Sequence, residues 1–179
     1  MVLKEIMSFK NEIREIYKKS KIFLTESELE NMEITDFGLE DFKNSGLAVV
    51  IYVNSLRVCA KELIMIPGQI CPQHIHPDIE DKKGKEETFR CRWGEVYLYV
   101  DGEEKKELKA KIPGKYKNEF NVFHEIILEP GNQYILEPKT WHWFMAGPEG
   151  TVLSEFSTHS FDAGDIFFDK HILRKAVDN

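Results

Sequence analysis

The sequence predicts a mainly β fold: a barrel with N-terminal helices packed outside it. Three observations lead there. Up to residue 45 the apolar residues recur at helical spacing. From Leu47 onward the chain breaks into short β-rich runs. Those runs are separated by Pro-Gly and Asp-Gly pairs, the punctuation of a sandwich or barrel.

Leu3, Ile6, Met7, Ile13, Ile16 and Tyr17, with Lys and Glu between them, mark a first helix. Such a stripe most often covers the outside of a sheet, and partner binding is the alternative. Thr25-Glu26-Ser27-Glu28 has the form of a capping box and starts a second, short helix. A third is expected from Asp36 to Phe42, stopping at Asn44-Ser45-Gly46. Strands are expected at residues 47–53, 58–66, 70–76, 88–100, 120–128, 133–136, 141–145 and 152–157. Turns are expected at Pro67-Gly68, Asp101-Gly102, Pro130-Gly131 and Gly147-Pro148. The polar stretches 77–86 and 105–118 read as surface loops. With no internal repeat and no low-complexity linker, residues 1–179 read as one domain, 1–45 the helical lead-in and 46–179 the barrel.

Hydrophobic residues make up 42% of the 179 and charged residues 31%, the balance of a soluble globular protein. A formal net charge of -7 argues against nucleic acid, whose phosphates call for a basic stripe. No apolar run approaches the roughly 18 residues of a membrane span. Met1 to Lys10 mixes Lys and Glu into its apolar residues, unlike a secretory signal, so a cytoplasmic protein is expected. Cys59, Cys71 and Cys91 lack zinc-site spacing and read as buried, reduced thiols.

The residues that carry chemistry begin with His74-Ile75-His76. On a strand, positions i and i+2 share a face, so both imidazoles project into one interior. Pro138-Lys139-Thr140-Trp141-His142 places a third histidine at the start of a later strand. A glutamate completes a mixed N/O set suited to a divalent first-row metal with positions left open. Thiolates, the usual ligands of closed structural zinc, are missing from the set. The glutamate is Glu86 or Glu87. Glu87 is preferred, because it shares strand parity with Phe89, Cys91 and Trp93 rather than with Arg90 and Arg92. Each histidine alone has the alternative reading of a satisfied core or surface residue, the favoured one for His142 by itself; the set of four points to metal.

Gly68, His74, His76, Glu87 and Gly94, followed by Gly131, Pro138 and His142, resemble the two motifs of the cupin superfamily. Two features depart from it. Ten residues, 77–86, separate His76 from Glu87 where a typical cupin has a much shorter link, and the second motif lacks its inner Gly and terminal Asn. Within the cupins the chain is similar to the D-lyxose isomerase family over roughly residues 45–175. Lys61, His74 to Pro77, the charged insert before Glu87, Trp141-His142-Trp143 and Glu155 in Ser154-Glu155-Phe156-Ser157 carry that likeness.

The resemblance implies a jelly-roll cupin barrel in a homodimer that interconverts D-lyxose with D-xylulose and D-mannose with D-fructose. It implies one divalent ion, Mn2+ ahead of Fe2+, Co2+ or Zn2+, on His74, His76, Glu87 and His142. It also implies Lys61 and Glu155 as the acid/base pair. The chemistry agrees: aldose–ketose isomerisation needs a Lewis acid on two adjacent oxygens, a base that moves a proton between carbons, and a cation that manages charge on oxygen. Lys61 alternates with Leu63 and Met65 on an apolar face, and a buried ammonium needs a carboxylate or ligand beside it. The plainer alternative has Lys61 snorkelling to solvent and Glu155 paired on the surface.

Asp162, Asp165, Asp169 and Arg174 form a polar tail in which Asp165 and Arg174 are candidates for sugar hydroxyls; a solvated segment is the alternative. Trp141 and Trp143 read as core or dimer packing, and His124, His159 and His171 have no partner at ligand spacing. No phosphate-binding Gly-rich loop is visible, so free sugars are the expected substrates. A cupin dioxygenase with the same His3Glu set around iron, or a non-catalytic sugar-binding cupin, remains the competing expectation.

Overall fold

The computed structural model describes residues 3–172, and side chains from residue 8 onward. Of the residues singled out above, Arg174 lies outside the described residues, as do the side chains of Leu3, Ile6 and Met7.

The helical spacing near the N-terminus forms α1 (Leu3–Lys19), whose Ile13, Ile16 and Tyr17 are buried. The capping box is made: Glu28 N–H donates to Thr25 Oγ1 at 3.2 Å, and Thr25 N–H donates to Glu28 Oε2 at 2.7 Å, starting α2 (Glu26–Glu30). The third helix does not form. Phe37 has φ 57°, Gly38 77° and Glu40 53°, left-handed values that a helix needing φ near -63° cannot contain. The apolar residues of this stretch serve two sides of the sheet. Phe37 enters the barrel core, and Phe42 packs under α1 and α2.

Among the described residues nine antiparallel strands form one curled sheet: β1 (Glu33–Thr35), β2 (Leu47–Asn54), β3 (Cys59–Met65), β4 (Ile70–Ile75), β5 (Glu87–Val100), β6 (His124–Leu128), β7 (Gln133–Leu136), β8 (His142–Ser157) and β9 (Ile166–Phe167). Neighbours run β1-β2-β3-β8-β4-β9, and β5 pairs with β6, β7 and β8. This is the expected mainly β barrel with helices outside.

Three expectations need correction. Residues 141–145 and 152–157 are halves of one strand, β8, because Gly147-Pro148 does not end it. Instead the partner of β5 jumps from Thr151 at Gly94 to Ala146 at Val96, so extra residues of β8 bulge out and bend the strand around the barrel. Residues 120–123 lie outside β6; there the Val122 carbonyl accepts from Trp143 Nε1 at 2.8 Å. The stretch 105–118 is pinned as well as exposed, since Ala110 and Tyr116 are buried beside Trp143.

The period-2 pleat sorts side chains to two faces. Leu63, Met65, Phe89, Cys91, Phe144 and Leu153 fill the interior. Ala48, Val50, Ile64 and Val152 meet α1 and α2 outside. All three cysteine side chains are buried.

Candidate active site

Register brings the histidines together. In the β4–β8 ladder His74 pairs with His142, and His76 lies just past the end of β4 on the same face. Ring centroids stand 4.2 Å apart for His74 and His142, 4.9 Å for His74 and His76, and 5.3 Å for His76 and His142. Each offers one ligating atom, and these atoms lie within 4.8 Å of one another, so the three can hold a metal ion.

The ring nitrogens divide their work. Nδ1 of His74 bonds the Pro72 carbonyl at 2.8 Å, and Nδ1 of His142 bonds the Thr140 carbonyl at 2.9 Å. Nδ1 of His76 bonds Asp165 Oδ1 at 2.6 Å. Bonds of this kind fix the ring and leave Nε2 to act as a ligand. His142 Nε2 is buried without a hydrogen-bond partner, an arrangement that is costly for a polar atom unless an ion takes its lone pair.

Of the two adjacent glutamates, Glu87 is the one that reaches this cluster; Glu86 is exposed. Glu87 Oε2 stands 3.0 Å from His76 Nε2 and 3.4 Å from His142 Nε2. The donor set of three imidazoles and one carboxylate, without sulfur, fits a divalent first-row ion. Burial holds His142 down to about 4 and His74 well below its ordinary value, so both imidazoles are neutral. Burial opposes charge on His76 too, but Glu87 and Asp165 raise it to about 9. For Glu87 burial is outweighed by His76 and Lys85, which hold its carboxyl well below the usual range.

Beside this cluster lies a second. The β3–β8 ladder pairs Lys61 with Glu155, both facing inward. Lys61 Nζ lies 3.6 Å from Glu155 Oε1, 3.0 Å from Ser160 Oγ and 3.3 Å from Asp162 Oδ1. Burial disfavours its charge, yet Glu155 and Asp162 raise its pKa above the ordinary lysine value.

Lys85 completes the group, and the sequence reading missed it. Its Nζ stands 2.5 Å from Glu87 Oε1 and 3.2 Å from Glu155 Oε1, so one ammonium joins the two clusters. Burial is overcome by Glu155 and Glu87, and its pKa lies well above the ordinary value. The insert 77–86 is therefore not a surface loop throughout: Gly84 and Lys85 are buried. A Cβ at Gly84 would collide with the His76 carbonyl oxygen, and this close approach turns Lys85 inward. Only the glycine hinted at that in the sequence. Asp165 reaches the site as the partner of His76, while Asp169 bonds His171 at 2.9 Å.

Space at the site comes in two parts. An inner chamber of about 30 Å3 touches Lys61, His74, Glu87 and Glu155, with Phe37, Phe89, Phe144 and Phe167 among its apolar walls. An outer chamber of about 600 Å3 opens to solvent between the insert and the segment after β8. His76, Lys85 and Asp165 border both.

Comparison with known proteins gives a consistent answer. A family model described as D-lyxose isomerase matches residues 10–177. The chain is 49% identical over 170 residues to the D-lyxose/D-mannose isomerase of Thermosediminibacter oceani, covering 95% of this chain and 94% of that protein. It is 53% identical over 157 residues to the D-lyxose ketol-isomerase of Thermofilum sp., covering 88% and 87%. Among solved structures, unliganded L-ribose isomerase of Cellulomonas parahominis superposes with TM-score 0.77 at 14% identity, over 96% of this chain and 94% of that one. L-Ribose isomerase of Acinetobacter sp. DL28, in complex with L-ribose, gives 0.76 at 17% identity with the same coverage. At those identities the structures speak for the fold.

Proposed function

The chain belongs to the D-lyxose isomerase family and is a sugar isomerase, and on that premise we propose that it interconverts free D-lyxose with D-xylulose and D-mannose with D-fructose at a single divalent ion. The observation that carries this reading is Lys85, whose ammonium lies between Glu87 of the histidine cluster and Glu155 of the proton-carrying cluster.

His74, His76, Glu87 and His142 would hold the ion, Mn2+ ahead of Fe2+, Co2+ or Zn2+. Bound there, it supplies a Lewis acid for the carbonyl and neighbouring hydroxyl oxygens of the open-chain sugar. Glu155 takes the proton from C2 of the aldose. The C2–H pair becomes the C1–C2 π bond, and the carbonyl π pair moves onto O1. Lys61 and Lys85, both held as ammonium ions, stabilise that charge. Glu155 then returns a proton to C1, the O2–H pair forms the C2 carbonyl, and a proton passes from O2 to O1. Ser160 and Asp162 keep Lys61 in place, and Asp165 orients His76. This pairing of a base with two buried cations suits isomerisation better than oxygenation, which has no use for a carbon-to-carbon proton carrier.

The test is turnover of free pentoses and hexoses with added Mn2+ in D2O. Deuterium should appear at the product carbon that receives the hydrogen, and Glu155→Gln should abolish it while retaining bound metal. Normal turnover with no deuterium at any conversion would remove Glu155 as base in favour of a hydride shift.

The homodimer is part of the same proposal. Val53, Ala60, Phe156, Thr88 and Ile135 are lateral neighbours across β2, β3, β8, β5 and β7, on the outer face beyond the helices. Val53, Phe156 and Ile135 are 41%, 44% and 52% exposed, and with Ala60 and Thr88 between them they form a row that a second copy would cover. Among the described residues no helix is long and apolar enough to cross a membrane. Three buried thiols suit a reducing cytoplasm.

A further inference from the structure

The outer chamber is larger than the proposed reaction needs. Taking about 30 Å3 per water-sized heavy atom as an upper bound, a pentose of ten heavy atoms fills less than about 300 Å3. The chamber holds about 600 Å3. Its position fixes which end of a sugar would occupy it. The inner space is lined by the two charged clusters and by core residues such as Leu47, Val49 and Leu63, so the reacting carbons belong at the inner end and the far end of the chain faces the outer chamber.

The chamber's walls are built. Leu56, Pro77, Ile79 and Phe161 present apolar surface, with Arg57 and Glu80 among the polar groups around them. Phe161 is 57% exposed at this opening. A Cβ at Gly164 would collide with both Ile79 and Phe161, so the insert and the segment after β8 meet over that glycine and form one wall. An aromatic face beside aliphatic side chains and a few polar groups suits the C–H face and hydroxyl edge of a pyranose. A terminal phosphate would want a buried cation with no other commitment. Lys85 is already engaged by Glu87 and Glu155, and Arg57, Lys82 and Lys83 are exposed.

From this we propose that the outer chamber is a distal subsite for a second sugar unit, and that the enzyme also isomerises aldoses glycosylated at the hydroxyl remote from the carbonyl. The inference rests on the isomerase reading above. The probe is a 6-O-linked mannobiose, compared with D-mannose on the metal-loaded enzyme and on Phe161→Ala. The disaccharide should be converted with kcat/KM within about tenfold of mannose. Phe161→Ala should lose about tenfold on the disaccharide and less than twofold on mannose, because an aromatic contact of this kind contributes about that factor.

Saturation-transfer NMR gives a readout independent of turnover: protons of the non-reducing unit should receive magnetisation from wild type and much less from Phe161→Ala. Conversion of mannose alone, with no transfer to the non-reducing unit, would overturn the subsite and leave the isomerase intact. If neither sugar is converted, the isomerase reading falls, and the transfer experiment still decides whether the chamber holds a second sugar unit.

Discussion

Lys85 is the residue on which the two clusters depend. Its ammonium lies within 3.2 Å of both Glu87 and Glu155, all three side chains being buried. Removing one partner of a buried pair costs about 3–5 kcal/mol, because the remaining charge is left without compensation. Lys85→Met should therefore lose stability of that order in urea titrations and hold metal less tightly. Glu155→Gln should keep metal and fold while its rate falls by roughly 10²–10⁴, the contribution of a positioned general base. Unchanged metal affinity in Lys85→Met would separate Lys85 from Glu87. The metal-free protein also has a defined pH response. His76 is raised to about 9, so its stabilisation is complete below its ordinary value of 6.5 and is lost as pH rises through 9. His142 is lowered to about 4, so its share is complete above 6.5 and is lost as pH falls towards 4. Denaturation in chelator at pH 5, 6.5 and 9 should find the greatest stability at the middle value. His74, His76 and Glu87 were legible in the sequence because strand parity is a rigid rule. Lys85 was not, because a loop has no period and a run of charges reads as solvated.

At the scale of elements, the segment after β8 holds more of the site than its sequence suggested. Ser160 and Asp162 hold Lys61, and Asp165 holds His76, all within the few residues between Ser157 and β9. A carboxylate behind a metal-binding histidine typically contributes 10–100-fold in affinity. Asp165→Ala should weaken metal by about that factor in a chelator competition, with the barrel still folded by circular dichroism. Unchanged affinity would mean that Asp165 holds His76 without helping it bind metal. The sequence reading named Asp165 here as a candidate for sugar hydroxyls but did not foresee β9, whose two residues, Ile166 and Phe167, are too few to show alternation. The strands that were found, such as β2, β4 and β7, are long or sharply bounded by turn residues. The false helix at residues 36–42 and the division of β8 share one cause. Phe37 and Phe42 look like one amphipathic stripe but feed opposite sides of the sheet, and Gly147-Pro148 looks like a turn but is accommodated as a bulge. Local composition does not reveal which side of a sheet a residue will meet, and tertiary packing decided both.

On the whole molecule, the outer face of the sheet is treated unequally along its strands. Around Ile64 and Val152 it is covered by α1 and α2, and those residues are fully buried. Two pleats along, at the Ala60–Phe156 pair, it is open, with Phe156 44% exposed. A row of Val53, Phe156 and Ile135 in water forgoes about 25 cal/mol for each Å2 of apolar surface, and rows of this kind on soluble proteins commonly mark an interface. A second copy meeting the first around a two-fold axis would bury the row twice with one set of residues. The row lies on the opposite face of β8 from Glu155, so association and chemistry are separable. Phe156→Lys should turn a dimer into a monomer in sedimentation velocity and leave kcat within about twofold at a concentration where the variant is monomeric. Loss of activity together with the dimer would mean that the partner completes the site. A wild-type chain that sediments as a monomer at every concentration would remove the interface altogether and leave the row as ordinary exposed surface.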